Sequence, residues 1–329
     1  MECANKLKAI IPVAGQGTRL RPITNEIPKP LIEVAGKPVL AHILDNMAKS
    51  PIDELVLIVN HDRDTLLDWT TENYGERFAI HPMKQEEPLG LGHAILCAGK
   101  HLQGEIVISL GDEIFAREYA SMIDEIQSSN DLAASIGVKQ VKDPSHYGMV
   151  SFASDGKIER LVEKPPTFDG DQAIAGVYYV KEAEILKSAL LAITERPFSG
   201  KEYQLTDALQ YMIEEGHIFR SFQVGEYFDC GRLLTILDSN KRLVEKHANS
   251  ELNAKVEQSE IIQPCVVSDD VIIRNSTIGP YVSIGSGAVI DDCKLTNAIV
   301  SQMTRLENVE ISDAILANSG ILSLADGND

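Results

Sequence analysis

An apolar residue recurs every six positions near the end of this 329-residue chain. Five residues share this phase: Val266, Ile272, Ile278, Ile284 and Ile290. Small residues and glycines occupy many of the positions between them. A six-residue period is typical of a β-helix, in which each hexad supplies one short strand and its apolar residue points into a shared core. Residues 261–323 are therefore predicted to form a short left-handed parallel β-helix, with an ordinary β-sandwich as the alternative.

The chain before this repeat alternates between two other patterns. Short β-branched runs at 7–14, 54–60 and 105–112 are separated by stretches with helical spacing, one of them following Pro38. Strands that alternate with helices predict parallel βαβ units and a doubly wound sheet. From about 131 to 231 the pattern changes to strands joined by turns, so we expect a mixed, mainly parallel sheet. Ligands bind such sheets at the carboxyl ends of the strands.

These patterns predict a domain order. Residues 1–247 form an α/β domain, 248–260 a polar linker, 261–323 the β-helix and 324–329 a disordered tail. No histidine follows His247, and few hexads fit into the remaining length. We therefore interpret the β-helix as a structural element that packs on the first domain or builds a homo-oligomer, and not as a second, acyl-transferring site.

Composition limits the classes of partner. The chain carries 30 basic and 49 acidic residues, a net charge of −19, which argues against nucleic-acid and anionic-membrane binding. Its five cysteines are scattered without a C-x-x-C pair, as expected for a reducing compartment without a zinc site. No apolar run approaches the length of about 20 residues that a membrane span needs, and no signal peptide is recognised. We predict a cytoplasmic protein.

Against this acidic background, the cations of "GQGTRLRPITNEIPKP" at 15–30 are conspicuous. A glycine-rich turn after a strand lets backbone N–H groups converge on an anion, and the guanidinium of Arg19 matches phosphate oxygens. The stretch is neither a P-loop nor a dinucleotide fingerprint, because it lacks the required lysine spacing and third glycine. Its three prolines exclude a long helix.

Taken with seven later motifs, this stretch resembles the signature of the sugar-nucleotide pyrophosphorylases. These nucleotidylyltransferases join a sugar 1-phosphate to a nucleoside triphosphate and release pyrophosphate. The motifs occur in the family's order: "QEEPLGLGHAILCA" (85–98), "SLGDE" (109–113), "YGMV" (147–150), "LVEKP" (161–165), "AIAGVYYV" (173–180), "EYQLTDAL" (202–209) and "FDCG" (228–231). The resemblance covers about residues 7–245.

The resemblance implies roles for individual residues. Asp112 and Asp229 correspond to carboxylates that bind Mg²⁺, a metal that prefers oxygen ligands. Arg19 and Lys29 should hold the triphosphate and the departing pyrophosphate. Lys164 should bind the sugar phosphate and neutralise charge in the transition state.

Further residues should read the two substrates. The nucleotide-binding set is Ala14, Gly15, Gly17, Thr18, Gln85 and Gly90. The sugar-binding set is Gly148, Glu163 and Gly176. Glu113 stands where related thymidylyltransferases have asparagine, so its contact is open, as is the role of Arg21. His93 is expected to be a packed or capping residue.

Substrate identity stays open in the sequence. UTP or dTTP with glucose 1-phosphate is the favoured pair, and GTP with mannose 1-phosphate is the alternative because mannose-1-phosphate guanylyltransferases share "GTRLRP" and "PKPL". A non-catalytic homologue that binds sugar nucleotides is a further alternative. Such a protein typically loses the metal-binding aspartates or the cations, all of which are present here.

Overall fold

A computed structural model describes residues 7–60, 64–128, 132–195, 202–246 and 254–327. Its helices are α1 (Val39–Met47), α2 (Asp64–Tyr74), α3 (Leu91–Leu96), α4 (Tyr119–Gln127), α5 (Ala183–Thr194), α6 (Leu205–Glu214) and α7 (Leu233–Lys246). The strands before α7 are β1 (Leu7–Pro12), β2 (Glu33–Val34), β3 (Lys37–Pro38), β4 (Ile52–Val59), β5 (Ala79–Lys84), β6 (Ile106–Ser109), β7 (Glu113–Phe115), β8 (Ala134–Gln140), β9 (Gly148–Phe152), β10 (Ile158–Glu163), β11 (Gln172–Val180), β12 (Phe219–Gln223) and β13 (Tyr227–Asp229).

Eleven shorter strands follow α7. They are β14 (Lys255–Glu257), β15 (Glu260–Ile261), β16 (Cys265–Val267), β17 (Ile272–Arg274), β18 (Thr277–Ile278), β19 (Val282–Ile284), β20 (Val289–Asp291), β21 (Lys294–Val300), β22 (Arg305–Glu307), β23 (Glu310–Ala317) and β24 (Gly320–Ser323). Across the described residues, no helix combines the length and the apolar character needed to cross a membrane.

The chain divides into two compact units. The first comprises the described parts of 1–15, 44–111 and 115–227. The second comprises 16–43, 112–114 and the described parts of 228–329. The second unit therefore combines the proline-rich loop of the sequence motif, the Asp112 and Asp229 segments, α7 and the C-terminal strands.

A nine-stranded mixed sheet forms the first unit, as the strand and helix pattern predicts. Its main path is β10-β9-β11-β6-β1-β4-β5, and β8 and β12 extend it from β11. The strands β6, β1, β4 and β5 are parallel neighbours, whereas β11 runs antiparallel to β6, β8 and β9. β1 is a nearly continuous buried run, with Ala9, Ile10 and Ile11 fully enclosed, as expected for a strand covered on both faces.

The carboxyl ends of β1 and β6 emerge at the same edge of this sheet, because Ile10 pairs with Ile108 in parallel register. Gly111, just after β6, lies so close to β1 that a Cβ there would stand 2.5 Å from Val13 Cγ1. The chain segments that follow β1 and β6, which carry the motifs at 15–30 and 109–113, therefore leave the sheet at neighbouring points.

The C-terminal strands stack in parallel coils, which confirms the parallel repeat that the isoleucine spacing predicts. Lys255 pairs with Ile272, which pairs with Val289, which pairs with Arg305. The first two of these coils therefore take 17 residues each, and the third takes 16. β24 ends the stack by turning back antiparallel to β23.

The phase of the six-residue repeat was wrong at two positions. Ile278, Ile284 and Ile290 are fully buried in the coil core, but Ile272 and Val266 are only half-buried. Their neighbours Ile273 and Cys265 occupy the core instead. A coil of 17 residues is one short of three hexads, so a strict period of six loses register within one turn.

The ends of this region also differ from the predicted boundaries. β14 and the first residue of β15 fall inside the predicted 248–260 linker, and these strands already pair with β17 and β18 of the next coil. Residues 247–253, including His247, lie outside the described residues. In the predicted tail, residues Leu324–Asp326 form a 3₁₀ turn capped by the Ser323 hydroxyl, which accepts from Ala325 N. Residues 328–329 also lie outside the description, and the domain division itself stays a prediction.

Candidate active site

The loop that carries the cationic motif folds as three short 3₁₀ turns, at Thr18–Leu20, Ile23–Asn25 and Lys29–Leu31. This confirms that its prolines exclude a long helix. Gly17 has the left-handed φ of 61°, and a Cβ there would stand 2.8 Å from Thr24 Cγ2. Thr24 Oγ1 donates to Gly17 O at 2.8 Å. The tight turn therefore requires glycine at this position.

Buried and exposed residues alternate on this loop. Leu20 and Ile23 are fully enclosed and anchor it, while Thr18, Arg19 and Arg21 are exposed. The structure thus leaves the guanidinium of Arg19 accessible to a ligand.

Three charged side chains meet within the second unit. Lys29 Nζ lies 2.5 Å from Asp112 Oδ2, as an ion pair with side-chain exposures of 17% and 33%. Asp229 Oδ1 accepts from Gly231 N at 2.7 Å. A Cβ at Gly231 would stand 2.9 Å from that Asp229 oxygen and 3.9 Å from Asp112 Oδ2, so the two carboxylates converge on one point.

Local backbone structure holds these carboxylates together. β7 and β13, which follow Asp112 and contain Asp229, pair as a two-stranded ribbon, and Cys230 N donates to Asp112 O at 2.9 Å. Burial, followed by the two nearby carboxylates, raises the pKa of the Cys230 thiol, which therefore stays protonated at neutral pH. Cys230 is a packing residue in this site, not a nucleophile.

The convergent pair fits a hard divalent cation. Two carboxylates offer oxygen ligands, and a partly exposed pair leaves space for waters and for substrate phosphates, as Mg²⁺ requires. Lys29 already forms an ion pair with Asp112, so positive charge is favourable beside these carboxylates. The fit to Mg²⁺ rests on the oxygen ligands that Asp112 and Asp229 offer.

The predicted nucleotide-reading residues of the first unit gather at strand ends. Gln85 directly follows β5 and is 7% exposed. Its Nε2 donates to Gly90 O at 3.2 Å and lies 3.2 Å from His93 Nδ1. Ala14 O, after β1, accepts from Asn60 Nδ2 at 3.1 Å. His93 therefore packs against Gln85 and orients its amide, in line with the expected packing role.

The predicted sugar-binding residues meet on the β9–β10 hairpin. Gly148 pairs with Glu163, and a Cβ at Gly148 would stand 3.1 Å from Glu163 Oε2. Thr206 Oγ1 donates to the same oxygen at 2.6 Å. Lys164 Nζ lies 3.5 Å from Glu163 Oε1, and its side chain is 55% exposed.

Gly176 is placed on β11, where the pairing with β8 shifts register between Ile174 and Tyr178. Its φ of 59° lies in the left-handed region, and its carbonyl accepts from Leu110 N at 2.9 Å. This hydrogen bond links the bulge to the segment that follows β6.

Sequence reasoning missed three residues of the site region. Thr206 lies within the recognised motif at 202–209, but its bond to Glu163 depends on a contact 43 residues away. Cys230 lies within "FDCG", and its burial could not be read from composition. Asn240 of α7 had no signal in the sequence.

Asn240 is fully buried and links three segments of the second unit. Its Oδ1 accepts from Ala35 N at 2.8 Å, next to β2, and from Ser283 Oγ at 2.8 Å on β19. Its Nδ2 donates to Tyr281 O at 3.3 Å. The proline-rich loop, α7 and the coils are therefore joined through one side chain.

Comparison with known proteins identifies the family of this chain. The sequence model of the family described as Nucleotidyl transferase matches residues 8–246. The chain is 31% identical over 276 residues to the bifunctional protein GlmU of Methanococcus maripaludis, covering 82% of this chain and 62% of that protein. It is 30% identical over 311 residues to glucose-1-phosphate thymidylyltransferase of Streptomyces antibioticus, covering 89% and 85%. The chain thus spans less than two thirds of the length of the GlmU relative.

A solved structure described as UTP-bound UGPase from Acinetobacter baumannii superposes with a TM-score of 0.59. It is 26% identical in sequence, and the match covers 74% of this chain and 94% of that one. The resemblance drawn from the motifs is confirmed, and with it the enzyme class, a sugar-1-phosphate nucleotidyltransferase, at the level of the family. The chain belongs to the nucleotidyl transferase family.

Proposed function

We propose that the protein forms a nucleoside diphosphate sugar and pyrophosphate from glucose 1-phosphate and UTP or dTTP, in a Mg²⁺-dependent reaction. The observation that carries this proposal is the cluster of Lys29, Asp112 and Asp229, in which two carboxylates and one ammonium converge. The names of the relatives support it, because they include a glucose-1-phosphate thymidylyltransferase and a UTP-bound UGPase.

In the proposed reaction, a phosphate oxygen of the sugar 1-phosphate attacks the α-phosphorus of the triphosphate. A new P–O bond forms, the bond between the α-phosphorus and the bridging oxygen breaks, and pyrophosphate leaves with that oxygen. Both reactants are anions, so positioning and charge neutralisation carry most of the catalysis. Asp112 and Asp229 would hold Mg²⁺, which when bound neutralises charge on the phosphate oxygens.

The cationic side chains take the remaining charge. Exposed Arg19 offers a planar fork to the triphosphate, in a loop whose Gly15 and Thr18 backbone also lies open. Lys29, held on the Lys29–Leu31 turn beside Asp112, stabilises the departing pyrophosphate. Lys164 provides a mobile point charge for the phosphate of the sugar.

Neutral groups provide recognition. Gln85 can donate and accept hydrogen bonds at once, which suits the edge of a pyrimidine base, and His93 holds its amide in place. Glu163 accepts sugar hydroxyls, with Thr206 fixing one of its oxygens. Gly148 leaves space beside that carboxylate.

A panel of substrates tests the proposal. Purified protein with Mg²⁺ is given each pair of UTP, dTTP, GTP, CTP or ATP with glucose, mannose or N-acetylglucosamine 1-phosphate, and pyrophosphate release is measured. UTP or dTTP with glucose 1-phosphate should be turned over fastest. Fastest release with GTP and mannose 1-phosphate would replace the substrate assignment, and no release from any pair would favour a non-catalytic sugar-nucleotide-binding homologue.

Association with a second copy of the chain and a cytoplasmic location remain part of this proposal. Analytical ultracentrifugation of the active protein tests whether the chain associates with a second copy of itself.

A further inference from the structure

Three side chains with metal-ligand chemistry converge in the first unit, outside the site described above. They are Glu54 on β4, His81 on β5 and His101 in the 3₁₀ turn Gly99–His101. One ligand atom from each lies within 4.8 Å of the other two. His81 Nε2 lies 3.3 Å from Glu54 Oε2, and the two imidazole centroids are 4.6 Å apart.

The sheet register explains how distant residues meet here. β4 and β5 are parallel, with Glu54 opposite Ala79 and Val56 opposite His81, so Glu54 and His81 project from the same face. The chain that leaves α3 then brings His101 to that face, where it is 7% exposed.

The cluster is separate from the nucleotide-reading residues. Glu54 lies near the amino end of β4, whereas Asn60, which bonds to Ala14 O, follows the carboxyl end of the same strand. Six residues of extended strand separate these two positions by about 20 Å.

The distances fit a small tetrahedral metal centre. Zinc binds imidazole nitrogen at about 2.0–2.1 Å, so two ligands on one tetrahedral ion lie about 3.3 Å apart. The Nε2–Oε2 distance of His81 and Glu54 has that value. The ligand atom of His101 lies within 4.8 Å of the other two, so closing to tetrahedral spacing needs each of these distances to shorten by about 1.5 Å at most.

One of the two cations near this cluster is engaged elsewhere. Lys8 and Lys100 are the cations near His101. Lys8 Nζ donates to Gln103 O at 3.2 Å, which engages its ammonium with a backbone carbonyl.

We propose that Glu54, His81 and His101 bind one Zn²⁺-type divalent ion, with water as the fourth ligand. The ion ties β5 to the turn that follows α3. β5 is the last strand on its side of the sheet, and none of its six residues is buried, so this strand has little packing of its own. It also leads into Gln85, so the ion stabilises the element that positions the base-reading amide.

Metal titration of the tag-free, chelator-treated protein tests this proposal. Co²⁺ is added in the presence of excess Mg²⁺, which occupies the carboxylate site, and the visible d–d absorption of tetrahedral Co²⁺ is recorded. One equivalent should bind and be displaced by Zn²⁺, and Zn²⁺ should raise the Tm. Absence of both the absorption and the Tm shift would overturn the proposal, leaving a metal-free contact between His81 and Glu54.

Variants test whether these three residues, and not others in the protein, bind the metal. His81→Gln, His101→Gln and the isosteric Glu54→Gln should each weaken Co²⁺ binding by about 100-fold or more. His146→Gln removes an exposed histidine next to Asp143 and should leave binding unchanged. Asp112→Asn should also leave it unchanged, which distinguishes this proposal from the proposed function. Circular dichroism confirms folding, and retained binding in a folded Glu54→Gln or His81→Gln protein would refute the assignment.

Discussion

The two units hold their functional residues by different means. In the first unit, Gln85 and Glu163 stand at the ends of strands, so the hydrogen-bond ladder of the sheet sets their positions. In the second unit, Arg19 and Lys29 lie on a loop with short 3₁₀ turns, and that loop depends on tertiary contacts. The comparison indicates that the C-terminal coils help to position the loop that carries Arg19 and Lys29, two residues for which we propose phosphate binding.

Contacts within the second unit support this interpretation. The Ile23–Asn25 turn packs against β23 and β24, and a Cβ at Gly320 would stand 2.8 Å from Pro22 Cγ. Further along the loop, a Cβ at Gly285 would stand 2.2 Å from Glu33 Oε2, so glycine is required where this carboxyl enters the coil.

The largest expected effect comes from removing the charge of Asp112 in the second unit. Asp112→Asn keeps the shape of the side chain but removes the carboxylate that pairs with Lys29 and that we propose binds Mg²⁺. Turnover in the substrate assay should fall by about 10³-fold, the scale for losing one preorganised electrostatic contact. Asp238→Asn, an exposed residue of α7 paired with Arg242, is the matched control. Activity of Asp112→Asn within tenfold of wild type would contradict its role.

A smaller effect is expected from the first unit. Lys164→Gln keeps a polar side chain but removes the mobile charge, so kcat should fall by about 10²-fold and KM for the sugar phosphate should rise. KM for the nucleoside triphosphate should change little. Lys157→Gln, at another exposed ion pair of the same hairpin, controls for surface charge. Equal changes in both KM values would show that Lys164 does not act on the sugar phosphate alone.

Asn240→Ala tests whether the coils support the loop. The variant leaves Ala35 N and Ser283 Oγ without their acceptor in a buried site, and should lower the free energy of unfolding by about 2–4 kcal/mol. If the loop loosens as we infer, KM for the triphosphate rises several-fold, while KM for the sugar phosphate is retained. Asn73→Ala, an exposed helix residue, is the control. Lost stability with unchanged KM would assign Asn240 a structural role only.

The smallest effect concerns pH. Burial raises the pKa of Glu33 from 4.5 to about 7, although the backbone of Gln302 partly opposes this shift. The folded protein therefore binds this proton more tightly than the unfolded chain, so the contribution of Glu33 to stability is greatest below pH 4.5 and is lost as pH rises through about 7. The total is about 3 kcal/mol at most, from the size of one pKa unit.

Glu33→Gln should remove this component. Chemical denaturation at pH 5, 6, 7 and 8 should give a smaller decline in unfolding free energy for the variant than for the wild type. Parallel curves for the two proteins would show that Glu33 does not titrate in this range.

Much of this fold could be predicted because its signals are local. Strand and helix periods identify the α/β sheet, and three prolines in 15–30 exclude a helix without reference to any distant residue. The resemblance then assigned chemistry to Asp112 and Asp229, and the structure brings both to Gly231. Their metal role itself remains a prediction.

Other features could not be predicted because they depend on distant contacts or on exact coil length. A coil of 17 residues places Ile273 in the core instead of Ile272. A strict period of six cannot predict this change of phase. The polar character of Asn240 predicts a surface position, yet it is fully buried between Ala35 and Ser283. The cluster of Glu54, His81 and His101 likewise depends on the register of β4 with β5 and on the turn that follows α3.

The buried thiol of Cys230 has a practical consequence. It is 1% exposed, protonated, and covalently adjacent to Asp229, so an alkylating reagent can reach it only when this part of the chain opens. Its labelling rate therefore reports how often the chain opens around Asp112 and Asp229. Slower labelling with bound nucleotide would report closure directly, without a label introduced by mutation.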